Sequence, residues 1–113
     1  MTNYSRGRNH EYAVRDALET DGYWCVRAAG SKGKADLVAL KPGEVVLVQV
    51  KASSPQVSPA EREALFGMAS ATCTVPVVAY KPARRPITFR ELTGVGPKEW
   101  RPWAPSGGVV GNT

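Results

Sequence analysis

Apolar residues recur at helical spacing near the start of the chain. Val14, Ala17 and Leu18 form one stripe, which predicts a helix over residues 7–21. Glu11 falls on the same stripe, so its carboxylate faces the side of the helix that packs on the core. Because charged groups seldom lie unpaired against an apolar surface, Glu11 is expected to have a partner or a function.

Further along the chain, four apolar segments have the length and composition of β-strands. They span residues 23–28, 35–40, 44–51 and 75–81. The third is rich in Val and Leu, which is typical of a central strand covered on both faces. A shorter segment, residues 87–92, predicts a fifth strand at the edge of the sheet.

A second helix lies between the third and fourth strands. Ser58, Pro59 and Glu61 combine an N-cap serine, a proline at the first helical position and a glutamate three residues after the cap. The helix that starts there connects two strands by a right-handed parallel crossover, whereas the first three strands are close enough to form an antiparallel meander. The pattern therefore predicts an α/β domain of the order αβββαβ, with a mixed central sheet flanked by helices.

The chain length of 113 residues leaves room for one compact domain. Because Gly, Pro and Ser dominate the end of the chain, residues 1–93 are predicted as the domain and residues 94–113 as a tail with a disordered end. The cysteines form neither a CxxC pair nor a disulfide framework. Cys25 and Cys73 are therefore interpreted as small buried residues, and Trp24 as a packing residue.

The charge points to a polyanionic partner. Fifteen Lys and Arg against ten Asp and Glu give a net charge of +5, and the basic residues crowd into residues 6–34 and 81–101. No apolar run is long enough to span a membrane, and the start of the chain lacks the apolar core of a signal peptide. The sequence therefore favours a cytoplasmic protein with nucleic acid, and no membrane, as its partner.

Polar residues interrupt one face of the third strand near its end. Because side chains alternate along a strand, Gln49 and Lys51 share a face while Val48 and Val50 point the other way. Asp36, at the start of the second strand, joins that face if the turn between the two strands has two or four residues. A three-residue turn sends it to the opposite face, since a one-residue slip flips every side chain.

These residues resemble a known motif. Asp36 followed by Gln49-Val50-Lys51 is similar to the PD-(D/E)xK nuclease motif, with glutamine in place of the second acid. The closer likeness is to the archaeal and phage Holliday junction resolvases of the Hjc type, and it extends over about residues 6–80. The other matching segments are residues 6–7 ahead of Glu11, and residues 26–31, 35–39 and 75–80.

The resemblance implies a restriction-endonuclease-like core that works as a homodimer and cuts four-way DNA junctions. The implied cofactor is Mg²⁺, with Mn²⁺ as the alternative ion. Asp36, Gln49 and the Val50 carbonyl would hold the metal, with Glu11 helping directly or through water. Oxygen ligands of this kind suit Mg²⁺, and a metal that neutralises charge and generates hydroxide suits phosphodiester hydrolysis.

The resemblance also implies catalytic roles for three residues. Lys51 would contact the attacking water or the scissile phosphate, Ser31 would lie near the phosphate, and Glu11 would supply a second negative charge. The basic residues are the candidates for contacts with DNA: Arg6, Arg8, Lys32, Lys34, Arg84 and Arg85.

Gln49 is the departure from the family pattern. A neutral amide offers a hard cation one carbonyl oxygen without charge, so metal affinity is expected to be lower than with a carboxylate. We expect a Mg²⁺-dependent, structure-selective endodeoxyribonuclease that resolves Holliday junctions. The alternatives are a related nuclease that acts on linear or nicked duplex DNA, and a catalytically inactive protein that binds junctions.

Overall fold

The computed structural model describes residues 3–28 and 35–105, with the side chains of the first helix described from His10 onward. The elements, in chain order, are α1 (Asn3–Thr20), β1 (Trp24–Arg27), β2 (Leu37–Lys41), β3 (Glu44–Lys51), α2 (Pro59–Thr72), β4 (Val75–Tyr80), β5 (Thr88–Leu92) and β6 (Trp100–Pro102). The sheet has six strands in chain order, and β3 pairs with β4 in parallel while every other pair is antiparallel. The predicted fold class, the meander and the parallel crossover are confirmed.

The two helices cover opposite faces of the sheet. Val14 and Leu18 of α1 pack on one face, and Leu65 and Ala69 of α2 pack on the other. Because both faces of the central strand are covered, residues 46–49 of β3 are all buried. Burial of each fully buried leucine, such as Leu18 of α1 or Leu65 of α2, contributes about 1.5–3 kcal/mol to the free energy of unfolding.

Helix α2 has well-defined ends. Ser58 Oγ accepts a hydrogen bond from Glu61 N–H (3.1 Å), and Glu61 Oε1 accepts one from Ser58 N–H (2.9 Å), so the predicted capping box is present. The helix ends at Cys73, which has a left-handed φ of 57° and donates its N–H to Ala69 O. Within the described ranges, neither α1 nor α2 is long and apolar enough to cross a membrane.

Two packing predictions are wrong. Cys73 is exposed, because α2 ends at Thr72 and Cys73 forms its left-handed cap outside the helix. Trp24 is also exposed, at 67% of its surface, whereas its neighbour Cys25 is buried as predicted. Trp24 lies on the edge strand β1 and points away from α1, while α2 packs on β3 and β4.

The sheet extends beyond the predicted end of the domain at residue 93. The three-residue strand β6 pairs with β5, which is therefore not an edge strand as predicted. Trp103 follows β6, donates its N–H to Phe89 O (3.1 Å) and packs its ring against Phe89 and Tyr23 at centroid distances of 5.4 and 6.2 Å. Residues 106–113, which hold most of the predicted disordered end, lie outside the described residues.

The contact of Trp103 with the core leads to a stability prediction. Trp103→Ala is expected to lower the free energy of unfolding by roughly 2 kcal/mol, less than the ~3–5 kcal/mol typical of a buried tryptophan because the ring is only partly buried. The control is Trp100→Ala, because Trp100 is exposed on the same segment and its ring stacks on Arg90. That stacking contributes about 0.5–1 kcal/mol. Equal losses in equilibrium urea denaturation would contradict the packing role of Trp103.

Candidate metal centre

One end of the sheet collects the charged residues of the predicted site. The parallel strands β3 and β4 end there at Lys51 and Tyr80, which are partners in the ladder. Strand β2 begins at the same end directly after Asp36, and β1 ends there at Arg27. Asp36 O also accepts a hydrogen bond from Ala28 N–H (2.8 Å), so the backbones of the two antiparallel strands stay together up to Asp36.

The register of the β2–β3 hairpin decides which face Asp36 occupies. Lys41 pairs with Glu44 across a two-residue turn, in which Gly43 takes a φ of 81° that favours glycine. Leu37 pairs with Val48, which places Asp36 opposite Gln49. Of the registers that the sequence leaves open, the two-residue turn is therefore the one that forms, and it puts Asp36 on the face of Gln49 and Lys51.

Asp36 is held by the strand opposite. Its Oδ2 accepts hydrogen bonds from the Val50 N–H (2.8 Å) and from Gln49 Nε2 (3.1 Å). Burial raises the pKa of the Asp36 carboxyl above its usual range. The negative charge of Glu11 adds to this rise, while the Val50 N–H and the positive charge of Lys51 oppose it.

Gln49 is the buried polar residue of the central strand, with 8% of its surface exposed. Its amide nitrogen is bonded to Asp36, but its carbonyl oxygen Oε1 is buried and accepts no hydrogen bond from the described part of the chain. A buried oxygen without a partner costs about 1–3 kcal/mol. Rotating the amide would place this oxygen beside the Asp36 carboxylate, and a cation between the two would stabilise that arrangement.

Lys51 forms an ion pair that the sequence did not predict. Its Nζ lies 3.3 Å from both carboxylate oxygens of Glu61, the residue of the capping box. Although burial raises the pKa of Glu61, its bonds to the Ser58 N–H and to Lys51 outweigh burial and hold that pKa below the usual range. Glu61 is therefore ionised at neutral pH and belongs to the site, although its position in the capping box was its one sequence signal.

Glu11 has a partner on β1. Its Oε1 accepts a hydrogen bond from Arg27 Nε at 2.8 Å, in an ion pair that joins α1 to the end of the first strand. Glu11 is predicted to face the core and to need a partner or a function, and Arg27 is that partner. The helical pattern alone could not identify it. Glu11 also lies close enough to Asp36 to act on its charge.

Two of the candidate DNA contacts lie beside this end of the sheet. Lys81 N–H donates to Lys51 O (3.0 Å), and the loop that starts at Lys81 carries Arg84 and Arg85, both exposed. Arg85 lines an open groove that also contains Arg90. The structure does not describe the side chains of the other candidates for DNA contact, namely Arg6, Arg8, Lys32 and Lys34, or that of the catalytic candidate Ser31.

The acids of the predicted site are too few to form a conventional metal cluster. The described residues contain no group of three His, Cys, Asp or Glu side chains that could hold a metal ion. The predicted ligands include only two acids, Asp36 and Glu11. The other two are the amide of Gln49 and the backbone carbonyl of Val50. Asp36 Oδ2 and, after rotation of the amide, the unpaired Gln49 Oε1 nevertheless suit a hard cation, because both are oxygen donors.

The helix before β1, the crossover between β3 and β4, and the motif formed by Asp36, Gln49 and Lys51 define a restriction-endonuclease-like protein. The family model of the archaeal Holliday junction resolvase (Hjc) matches residues 2–99. The chain belongs to that family, and membership implies a divalent metal cofactor.

Two known proteins illustrate the relationship. The crossover junction endodeoxyribonuclease Hjc of Methanocaldococcus jannaschii is 41% identical over 51 residues, which is 45% of this chain and spans only 38% of that relative's length. The solved structure of Hjc from Archaeoglobus fulgidus, a Holliday junction resolvase, superposes with a TM-score of 0.65 at 25% identity. That match covers 74% of this chain and 70% of the Archaeoglobus chain.

The raised pKa of Asp36 predicts a stability cost of its charge. Asp36→Asn keeps an acceptor for the Val50 N–H and removes the charge, so we expect a Tm a few degrees higher in EDTA at pH 7. Because the pKa is raised in the folded chain, wild-type stability falls as the pH rises from the ordinary value of about 3.9 through the folded-state pKa. The higher stability of Asp36→Asn should therefore be fully present above the folded-state pKa of Asp36 and absent below the ordinary pKa of an aspartate.

Thermal unfolding in EDTA from about pH 3 to pH 8 measures this effect. Asp16→Asn, at an exposed position of α1, is the matched control and should change the Tm little at any pH. An Asp36→Asn protein that is less stable than the wild type at pH 7 would contradict the prediction.

Proposed function

We propose that this protein is a Mg²⁺-dependent, structure-selective endodeoxyribonuclease that resolves four-way DNA junctions by phosphodiester hydrolysis. The observation that carries the proposal is the convergence of Asp36, Gln49 and Lys51 on one face, at one end of the sheet, in a chain of the Hjc family. The proposal places the protein in the cytoplasm, where cellular or phage DNA is processed.

Asp36, Gln49, the Val50 carbonyl and Glu11 are the proposed metal ligands. Asp36 supplies the charge, and its bond to the Val50 N–H fixes one carboxylate oxygen relative to β3. Gln49 supplies its unpaired oxygen after its side-chain amide rotates, and Glu11 adds the second negative charge nearby. When bound, Mg²⁺ neutralises charge on the phosphate and makes a water more acidic, and Mn²⁺ is the alternative ion.

Lys51 is the proposed catalytic cation. Its ammonium lies on the same face as Asp36, where it can contact the scissile phosphate or orient the attacking water. Ser31 is proposed to lie near the same phosphate, from the loop that precedes Asp36. The ion pair with Glu61 holds the Lys51 ammonium at this end of the sheet, where it can contact an anionic phosphate.

The proposed DNA-binding residues surround this site with positive charge. Arg84 and Arg85 follow β4 at the end of the sheet where Lys51 lies, and Arg85 continues into a groove with Arg90. Arg6, Arg8, Lys32 and Lys34 complete the set. Basic side chains in such positions bind the phosphate backbone without reading sequence, as expected of an enzyme that recognises the shape of a junction.

The protein is proposed to act as a homodimer on branched double-stranded DNA. Resolution of a four-way junction requires two symmetric cuts, and each chain has one motif formed by Asp36, Gln49 and Lys51. A two-fold dimer presents two identical sites to a substrate that itself has approximate two-fold symmetry.

A cleavage assay on matched substrates tests the function. A labelled four-way junction, a linear duplex and a nicked duplex are incubated with the protein in Mg²⁺ and in EDTA. We expect paired symmetric nicks in the junction that require Mg²⁺. Cutting of linear duplex in preference to the junction indicates the related nuclease instead, and binding without cutting in Mg²⁺ and Mn²⁺ indicates an inactive junction-binding protein.

Lys51→Ala is expected to slow junction cleavage by roughly 10²-fold or more, because the proposed catalytic cation is lost. Junction binding should stay nearly unchanged, because the other proposed phosphate contacts remain. Lys41→Ala is the matched control, since Lys41 lies at the opposite end of the same sheet and stacks on Tyr23. Single-turnover cleavage and gel-shift binding measure the two effects. Normal cleavage by Lys51→Ala would exclude the proposed role of this residue.

Gln49→Glu is expected to retain cleavage and to lower the Mg²⁺ concentration required, because a carboxylate adds charge to the ligand set. In EDTA the new carboxylate faces Asp36 without the amide hydrogen bond, so the metal-free Tm should fall and Mg²⁺ should restore it. Gln56→Glu, at an exposed loop position, controls for the added charge. Loss of both cleavage and metal-induced stabilisation in Gln49→Glu would refute Gln49 as a ligand.

A further inference from the structure

One carboxylate connects the N-terminus of α2 to the lysine of the site. Glu61 Oε1 accepts the Ser58 N–H at 2.9 Å, and both of its oxygens lie 3.3 Å from Lys51 Nζ. The Glu61 backbone N–H is in turn bonded to Ser58 Oγ. The position of the lysine's partner is therefore set by a helix cap.

This arrangement limits where the Lys51 ammonium can go. A lysine side chain is a flexible chain of four carbons, and holding it in one place costs conformational entropy unless a partner fixes it. The side chains of Lys51 and Glu61 are only 23% and 32% exposed, so solvent screens the pair less than it would a surface pair. The ion pair thus fixes the ammonium on the α2 side of the site.

Without Glu61, the metal-ligand candidate Asp36 would remain as an attractive charge for the ammonium. Lys51 already acts electrostatically on Asp36 in the structure. An ammonium that moved onto this carboxylate would compete with a divalent cation for the same oxygens. Glu61 therefore keeps the lysine and the metal ligand apart.

We propose that Glu61 is a positioning residue, which uses the capping box of α2 to hold the Lys51 ammonium beside the reacting phosphate and away from Asp36. The inference rests on the proposed function for its effect on cleavage. Its effect on metal binding does not require any cleavage and can be measured on the protein alone.

Two substitutions separate this role from the role of Glu61 in the helix cap. Glutamine is compatible with a capping box, so Glu61→Gln keeps the bond to the Ser58 N–H and removes the charge that holds Lys51. Ser58→Ala removes the side-chain half of the cap and leaves both the Ser58 N–H and Glu61 in place. A helix-capping role alone would make Ser58→Ala the more damaging change for every property.

In single-turnover cleavage of a four-way junction, Glu61→Gln is expected to be about tenfold or more slower with unchanged junction affinity, because a small misplacement of a catalytic group is costly. Its Tm should fall only by the contribution of the lost ion pair with Lys51. Glu61→Asp should recover part of the rate by restoring the charge. Ser58→Ala should lower the Tm and leave the rate unchanged. Equal rates for Glu61→Gln and wild type, or a slower rate for Ser58→Ala than for Glu61→Gln, would overturn the proposal.

Mn²⁺ titration by calorimetry without DNA provides the second readout. Glu61→Gln should weaken Mn²⁺ binding several-fold in the wild-type background and much less in a Lys51→Ala background, where no ammonium can move onto Asp36. The same loss in both backgrounds would show that Glu61 acts only as a nearby negative charge and would overturn the inference. If the wild type cuts no junction, the proposed function fails while this cycle still decides the role of Glu61.

Discussion

The site depends on the register of the β2–β3 hairpin. Side chains alternate along a strand, so the two-residue turn that pairs Lys41 with Glu44 determines which residues share a face over the length of both strands. A turn longer by one residue would keep the strands but send Asp36 away from Gln49 and Lys51. The chemistry at one end of the sheet is thus set by a turn at the other end.

The central strand carries the conflict between stability and function. Its buried run of residues 46–49 ends in Gln49, whose oxygen lacks a partner in the described part of the chain, beside a carboxylate whose pKa is raised by burial. A strand selected only for packing would continue with apolar residues at this point. Local departures of this kind are typical of functional sites, where the surrounding core compensates for the cost.

Much of the fold could be predicted because its signals are local. The Val-rich run predicted β3, and the capping box at Ser58 predicted the start of α2 at the correct residue. The strand at residues 100–102 could not be predicted, because three residues among Pro and Gly carry no periodicity and form a strand only where β5 offers an unpaired edge. Trp103 is ordered by the same distant contacts, which its own neighbours in sequence do not reveal.

The sequence by itself determined the order of helices and strands from α1 to β5, the residues of the nuclease motif and the resemblance to the Hjc family, since each depends on residue type and spacing along the chain. Only the tertiary structure decided that Asp36 faces Gln49, that Arg27 pairs with Glu11 and that Glu61 holds Lys51. These partners are separated in sequence, and residue spacing along the chain does not single out one partner among the other polar residues. Strand register and helix placement select one partner, because an ion pair requires its two groups to lie within a few ångströms.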